Sequence, residues 1–252
     1  MRFGILLPIQ QAELAKGAGF DFVEELVPYF LSPNQDGPVW AGEALAARSA
    51  LPVLAARDLI PPSLKLVGPD VDMGALRSHI QLVCERAEMS GIRTFVLGSA
   101  ASRMVPDGFD RKQAKRQILE FVRSAVHFCS RHNVMLVCDS LSRDDCNIIN
   151  SLPESLQYVW EVDHPNFQCL LNANQLLKEQ EPLDNLRDAL PWIRYVHIST
   201  ASSATAEERT IFGELKKANY DGAITMATID EQATLAELAK SLRLLKAEWE
   251  QA

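Results

Sequence analysis

Short apolar runs alternate along the chain with longer segments in which apolar residues return every three or four positions. The short runs have the length and the Val, Ile, Leu and Phe content of buried strands, and the longer segments have the spacing of amphipathic helices. Strands are predicted at Arg2 to Leu7, Phe20 to Val27, Leu51 to Ala56, Arg93 to Leu97, Val134 to Asp139, Phe167 to Asn172, Arg194 to Ser199 and Ala223 to Ala227. The clearest helices are predicted at Asp72 to Met89, Asp110 to His132 and Gln232 to Trp249. This alternation indicates parallel βα units.

The number of βα units favours an α/β fold in which a single (β/α)8 barrel occupies residues 1–252. The alternative is an open, doubly wound sheet. The first predicted strand is followed by Pro8-Ile9-Gln10-Gln11 and carries no GxGxxG motif, and GxxxxGK[ST] occurs nowhere in the chain. Phosphate-cradling loops of the usual kinds are therefore missing, and we expect no nucleotide cofactor.

Composition narrows the range of partners. The 252 residues are 47% hydrophobic and 23% charged, which is typical of a globular protein, and the net charge of −8 disfavours binding to nucleic acid. The five cysteines have no CxxC spacing, so we expect reduced thiols and no thiolate zinc site. No apolar run approaches the ~20 residues of a membrane span. These features predict a cytoplasmic protein without a membrane partner.

Reacting groups of a (β/α)8 barrel come from the C-terminal ends of its strands. The polar residues that close the apolar runs are Glu24, Asp139, Asn172 and His197, and strand periodicity predicts a ring of Asp, Asn and His facing the interior. Of the pair Glu24 and Glu25, one residue is expected to face the barrel mouth and the other the helices. His197 has a competing interpretation as a buried core histidine, and Glu24 as a structural carboxylate.

Several segments, in this order and spacing, resemble the xylose isomerase-like TIM barrels that include sugar phosphate isomerases and epimerases. They are Gly19-Phe20-Asp21-Phe22-Val23-Glu24, Gly98-Ser99-Ala100-Ala101-Ser102-Arg103 leading to Pro106-Asp107-Gly108-Phe109, Ser142 to Asn150, Val162-Asp163-His164-Pro165-Asn166, Val196-His197-Ile198 and Asn219-Tyr220-Asp221-Gly222. The resemblance runs through most of the chain. It implies a carbohydrate-like small-molecule ligand and, at the level of the family, a homodimer.

The resemblance also implies positions for the family's divalent metal. The family's Glu, Asp, His and Glu ligands at the ends of strands five to eight correspond to Asp139, Asn172, His197 and Ala227. A sugar-contacting His corresponds to Gln175, an acidic residue of the loop after strand five to Asp145, and a substrate-gripping Arg to Ser203. One family ligand is therefore kept, one is shortened, one has lost its charge and one is missing.

The missing carboxylates predict weak binding of Mn²⁺ or Mg²⁺. If each lost anion contributes only ~2 kcal/mol at an effective dielectric constant near 20, the affinity falls by roughly a thousandfold. Asp139, Asn172 and His197 are thus the candidate ligands of a weak or absent metal. Asp139, Asp145 and Glu24 are the candidate catalytic residues, and Gln175, Arg103 and Trp40 are the candidate substrate-binding residues. Arg103 has the alternative of pairing with a neighbouring acid.

Three functions compete at this point. The first is a sugar phosphate isomerase or epimerase relative that binds or slowly isomerises a small keto sugar, polyol or sugar phosphate. The second is a non-catalytic barrel that binds a carbohydrate-like metabolite or a protein. A carboxylate reaching the mouth from elsewhere, such as Glu24, Asp70 or Asp230, would favour the enzyme. A nuclease built on the related endonuclease barrel ranks last, because its additional zinc ligands and basic groove are missing.

Overall fold

The computed structural model describes residues 1–31, 40–199, 206–227 and 232–252. Its parallel strands pair in chain order, and the eighth pairs with the first, so the sheet closes into a barrel. The strands are β1 (Arg2–Leu6), β2 (Phe22–Leu26), β3 (Val53–Arg57), β4 (Thr94–Leu97), β5 (Met135–Cys138), β6 (Phe167–Asn172), β7 (Ile193–Ile198) and β8 (Ala223–Met226). The predicted (β/α)8 barrel is confirmed, and each predicted strand overlaps an observed one.

Helices connect the strands and cover the outside of the barrel. They are α1 (Ala12–Ala18), α2 (Val27–Phe30), α3 (Gly42–Arg48), α4 (Met73–Ser90), α5 (Ala100–Arg103), α6 (Arg111–Arg131), α7 (Leu152–Val162), α8 (Ala173–Lys178), α9 (Leu183–Ala189), α10 (Ala206–Lys217) and α11 (Leu235–Gln251). Within the described ranges, no helix has both the length and the apolar character needed to cross a membrane.

The long helices begin and end where the sequence supplies capping groups. The Oδ1 atom of Asp72 accepts hydrogen bonds of 2.9 Å from two backbone N–H groups in the first turn of α4. The Oδ1 atom of Asp110 accepts one, from Gln113 in the first turn of α6, at 2.7 Å. Gly91 ends α4 with a φ of 85°, and Gly19 ends α1 with a φ of 99°. Glycine reaches this left-handed conformation without the steric penalty of a Cβ atom, so both positions end the helix before the next strand.

The inside of the barrel is filled by its own apolar layer. This layer contains Phe22, Ala55, Val96, Val137, Leu170, Tyr195 and Ala223. Gly4 of β1 makes room for it, because a Cβ atom at this position would lie 2.2 Å from the ring of Phe22. The barrel is therefore a packed core up to this level, and only its C-terminal end is available to a ligand.

Candidate active site

The two-residue period of the strands determines which side chains lie above the apolar layer. Two positions beyond the layer, on the same strand faces, the chain carries Glu24, Arg57, Gly98, Asp139, Asn172, His197 and Thr225. We call this set the mouth ring. It lies at the C-terminal ends of the strands, where barrels of this type hold their reacting groups. The predicted ring of Asp, Asn and His is part of it.

Glu24 is the best-connected member of the mouth ring. Its carboxylate is fully buried, its Oε2 atom accepts a 2.8 Å hydrogen bond from the hydroxyl of Tyr195, and Nε2 of His197 lies 3.0 Å from both carboxylate oxygens. A phenol has one proton to donate, and Tyr195 gives it to Glu24. The hydroxyl of Thr225 therefore donates to the phenol oxygen. These contacts place Glu24 on the mouth side, as one of the two adjacent glutamates was expected to be.

The contacts of Glu24 also determine its charge and place a proton on Nε2 of His197. Burial raises the pKa of Glu24, but the interactions with His197, Arg57 and Tyr195 outweigh this effect and hold the pKa below its ordinary value of 4.5. The carboxylate is therefore an anion at neutral pH, and it requires a proton on Nε2 of His197. The other ring nitrogen, Nδ1, is buried and has no hydrogen-bond partner among the described residues. A polar group of a ligand would satisfy this nitrogen.

Asp139 is the second carboxylate of the mouth ring. It is 1% exposed, and its Oδ1 atom lies 3.4 Å from the amide nitrogen of Asn172. Burial raises the pKa of Asp139, and His197, Arg103, Arg57 and Asn172 oppose this rise only in part. Asp139 is therefore a stronger base than an ordinary aspartate, which suits it to accept a proton.

Asn172 ends β6 and links the mouth ring to α8. Its Oδ1 atom accepts the backbone N–H of Gln175 at 3.3 Å and so caps the helix, while its Nδ2 atom faces Asp139. The Oε1 atom of Gln175 is buried and lacks a hydrogen-bond partner within the described part of the chain. A ligand hydroxyl would satisfy this oxygen, which agrees with the predicted role of Gln175 in substrate binding without testing it.

The guanidinium of Arg103 is bonded to backbone carbonyl groups inside the protein. The residue is fully buried at the end of α5, where Nη1 donates to the carbonyl of Leu97 at 3.0 Å and Nη2 to the carbonyl of Asp139 at 2.7 Å. These bonds join the C-terminal ends of β4 and β5. The geometry favours a role in positioning Asp139, and the predicted substrate contact of Arg103 stays a prediction.

The other predicted site residues lie outside the mouth ring. Asp145 is exposed and accepts a 3.0 Å hydrogen bond from Ser142. Trp40 is half-buried, donates to the carbonyl of Phe30 at 2.9 Å and lies beneath the guanidinium of Arg86. Of the other positions considered for the mouth, Asp70 is exposed, and Ser203 and Asp230 lie outside the described residues.

Sequence reasoning missed three residues of the site: Arg57, Tyr195 and Thr225. Arg57 closes the third apolar run just as Glu24 closes the second, but the predicted strand ended one residue earlier, at Ala56. The strand period puts Tyr195 on the face of His197 and Thr225 on the face of Ala227, but it does not mark either of them as a site residue. What the period could not show is that both belong to the hydrogen-bond network of Glu24.

The four positions that match the family's metal ligands do not make a complete cation site. Asp139 provides one carboxylate, the oxygen of Asn172 caps α8, Nε2 of His197 is held by Glu24, and Ala227 provides no donor. No three His, Cys, Asp or Glu side chains of the described residues are grouped so as to hold a metal ion. Mg²⁺ and Mn²⁺ require about six oxygen-rich ligands and strong negative charge. Among the described residues, the four matching positions therefore offer a dication only one carboxylate.

Comparison with solved structures finds proteins that share this fold. The 3-keto-D-glucoside 4-epimerase from E. coli superposes with a TM-score of 0.81 at 18% identity, covering 98% of this chain and 99% of that chain. The IolI protein with a bound zinc atom superposes with a TM-score of 0.75 at 11% identity, covering 100% of this chain and 99% of that chain. At these identities the similarity establishes the fold and leaves the activity open.

Comparison by sequence gives the same family. A 3-dehydroshikimate dehydratase of Bacillus anthracis is 24% identical over 94 residues, so the match covers 37% of this chain and about a third of that relative's length. A family model described as a xylose isomerase-like TIM barrel matches residues 12–248, nearly the whole sequence. The chain therefore belongs to the xylose isomerase-like TIM barrel family.

Proposed function

We propose that the mouth of this barrel binds a small polyhydroxylated ketone, and that Asp139 moves a proton at the carbon beside the carbonyl group. The observation that supports this most is the state of Asp139: a buried carboxylate of raised pKa at the end of β5, with an amide on one side and no side chain at Gly98 on the other. A carboxylate in such surroundings is a base of useful strength at neutral pH.

The names of two relatives describe reactions that fit proton transfer at a carbon beside a carbonyl group. One is named for epimerising a keto sugar at position 4, which is adjacent to the keto group at position 3. Another is named for dehydrating 3-dehydroshikimate. The step that we propose for this chain is removal of a proton from a carbon that a neighbouring carbonyl group makes acidic.

The step itself needs one base and an acceptor for negative charge. Asp139 takes the proton from carbon, the electron pair of the C–H bond becomes a C=C bond, and the π pair of the carbonyl moves onto its oxygen. Asp139, now protonated, returns the proton to either carbon of the resulting enediolate. Return to the first carbon restores the substrate. Return to the second completes an isomerisation when the proton of the hydroxyl group on the first carbon also moves to the oxygen of the former carbonyl group. Epimerisation by two opposed bases is not supported, because Ala227 offers no second carboxylate.

Other groups of the mouth can hold the hydroxyl groups of such a ligand. The buried Nδ1 of His197 and the buried Oε1 of Gln175 both lack a hydrogen-bond partner among the residues that the structure describes. Unsatisfied buried polar atoms are unfavourable by ~1–3 kcal/mol each, so a ligand hydroxyl, which can donate or accept, gains affinity by bonding to them. Two such atoms suit a polyol chain or ring.

A non-catalytic binding barrel is the second candidate, and the observation that favours it is Ala227. The family's fourth ligand at this position also serves as a base, and here it is a methyl group. In this alternative the mouth binds the same class of ligand without moving a proton. The two candidates differ in one measurable property, the exchange of carbon-bound hydrogen with solvent.

The experiment is deuterium exchange in D₂O, monitored by proton NMR, with D-fructose, hydroxypyruvate and a 3-keto-D-glucoside as substrates. We expect the protein to exchange the hydrogen beside the carbonyl of at least one of them, and Asp139→Asn to reduce the rate at least ~100-fold. Asp188→Asn is the matched control, since this aspartate is exposed on α9 and lies outside the mouth ring. Exchange that survives Asp139→Asn would overturn the assignment of the base. Binding in a thermal-shift assay without any exchange would instead support the non-catalytic barrel.

A further inference from the structure

Arg57 is the one fixed cation that the strand ends contribute to the mouth ring in the described residues. It is the last residue of β3, and its Nη1 atom lies 3.5 Å from the carbonyl oxygen of Ala227, just beyond β8. In the closed barrel, β1 and β2 separate these two strands. The side chain therefore reaches across the ends of two strands, and its guanidinium lies beside the position at which the family has its fourth metal ligand.

The backbone that carries Arg57 is held in place by the loop after β4. Asp58, the next residue, has a left-handed φ of 56°. Ser99 Oγ then accepts the N–H of Ile60 at 2.9 Å, and Ser102 Oγ donates to the carbonyls of Ile60 and Pro61 at 3.0 Å. These bonds fix the start of the β3 loop, so Arg57 is presented from a rigid support.

The charge of Arg57 acts on both carboxylates of the ring. It contributes to lowering the pKa of Glu24 and opposes the rise in the pKa of Asp139. Its nearest carboxylate contact in the described chain is loose, with Nε 3.9 Å from Oδ1 of the half-exposed Asp58. A guanidinium has five N–H groups, and the bond to Ala227 uses one. The others have the capacity to bind a ligand.

We propose that Arg57 binds the negatively charged oxygen of the ligand and so performs at this mouth the electrostatic role that a dication performs in related barrels. The inference rests on the proposed function, which places the ligand at the mouth, and it adds the ligand's charge. A planar guanidinium matches two adjacent oxygens of one plane, as in a carboxylate or an enediolate. The favoured ligands are therefore those that carry such a pair or form it during the reaction.

The test uses oxalate, a planar dianion with adjacent oxygens, titrated calorimetrically into protein that has been treated with chelator and dialysed. We expect Arg57→Met to weaken oxalate binding at least ~10-fold, because a charge-assisted bidentate contact is lost. Arg57→Lys should bind with intermediate affinity, since it keeps the charge without the planar fork. Arg116→Met is the matched control, because Arg116 is exposed on α6.

Two results would overturn the proposal. One is equal oxalate affinity of the wild type and folded Arg57→Met, with folding checked by circular dichroism. The other is oxalate binding that appears only after Mn²⁺ is added. The outcome is distinguishable from failure of the proposed function: Arg57-dependent oxalate binding without any deuterium exchange leaves this inference standing and removes the catalysis. Deuterium exchange that requires Asp139 but is unchanged in Arg57→Met would support the catalysis and remove this inference.

Discussion

Glu24 and Glu25 are adjacent in the chain, both are buried, and their pKa values move in opposite directions. Glu24 faces the mouth. Glu25 faces the helices, where its carboxylate accepts the backbone N–H of Ile9 and, at 3.2 Å, that of Leu26. No basic side chain of the described residues contributes to the pKa of Glu25, and burial raises this pKa to about 7. We therefore expect Glu25→Gln and Glu24→Gln to change the pH dependence of stability in opposite senses.

The size of the Glu25 effect follows from its pKa. A folded value of about 7 lies roughly 2.5 pKa units above the ordinary 4.5. At ~1.4 kcal/mol per unit this corresponds to about 3 kcal/mol. Between the two values the folded protein binds a proton that the unfolded chain has released, so stability falls as the pH rises from 4.5 to 7. Glutamine keeps the carbonyl oxygen for Ile9 and removes this dependence.

Glu24 contributes in the opposite sense, because its pKa is lowered in the folded protein. Its stabilisation is present above the ordinary value of 4.5 and is lost as the pH falls through the lower, folded value. Glu24→Gln should therefore destabilise the protein at neutral pH and approach the wild type in acid. It leaves His197 with an amide in place of an anion.

Urea unfolding of the wild type and both variants at intervals from pH 4.5 to pH 8.5 measures these effects. Relative to the wild type, Glu25→Gln should gain about 3 kcal/mol in the free energy of unfolding across this range. Glu24→Gln should be less stable than the wild type by a nearly constant amount over this range, and measurements extended below pH 4.5 should show the difference shrink. Parallel pH profiles for Glu25→Gln and the wild type would refute the reasoning, since they would mean that the carboxylate is ionised in the fold without penalty.

Three further predictions concern the stability of the barrel and its affinity for Mn²⁺. Arg103→Met leaves two buried carbonyl groups unsatisfied and should lower the free energy of unfolding by about 3 kcal/mol in urea titrations; a change below ~1 kcal/mol would contradict its joining role. Gly4→Ala forces a methyl group against the ring of Phe22 and should destabilise the barrel by ~1–3 kcal/mol, visible as a lower Tm. Asn172→Asp combined with Ala227→Glu restores two carboxylates and should strengthen Mn²⁺ binding in calorimetry; unchanged affinity would mean that strands six and eight are aligned wrongly with the family.

The strand period accounts for what could be predicted from the sequence. It placed Asp139, Asn172 and His197 at the ends of their strands, and it separated Glu24 from Glu25 onto opposite faces. Each of these inferences needs only local information, namely where an apolar run ends and which residues lie two positions apart. Closure of the barrel followed from the number of such runs.

Partnerships across the barrel could not be predicted in this way. The network of Glu24, Tyr195 and His197 joins β2 to β7, and it depends on the register and tilt of strands that lie far apart in sequence. The contacts of Arg103 could not be predicted for the same reason. A charged residue in a loop after a strand is usually solvated, and only the completed fold reveals that its guanidinium is buried against two carbonyl groups.

Two of the positions that the resemblance matches to the family's carboxylate ligands are uncharged in this chain, Asn172 and Ala227. Arg57 places a cation beside the second of them. A site altered in this way binds a dication less well and an anionic oxygen better, because both affinities depend on the same local potential. Metal affinity and oxalate affinity should therefore respond in opposite directions to Arg57→Met. A variant in which both affinities fell together would show that Arg57 supports the shape of the mouth and not its charge.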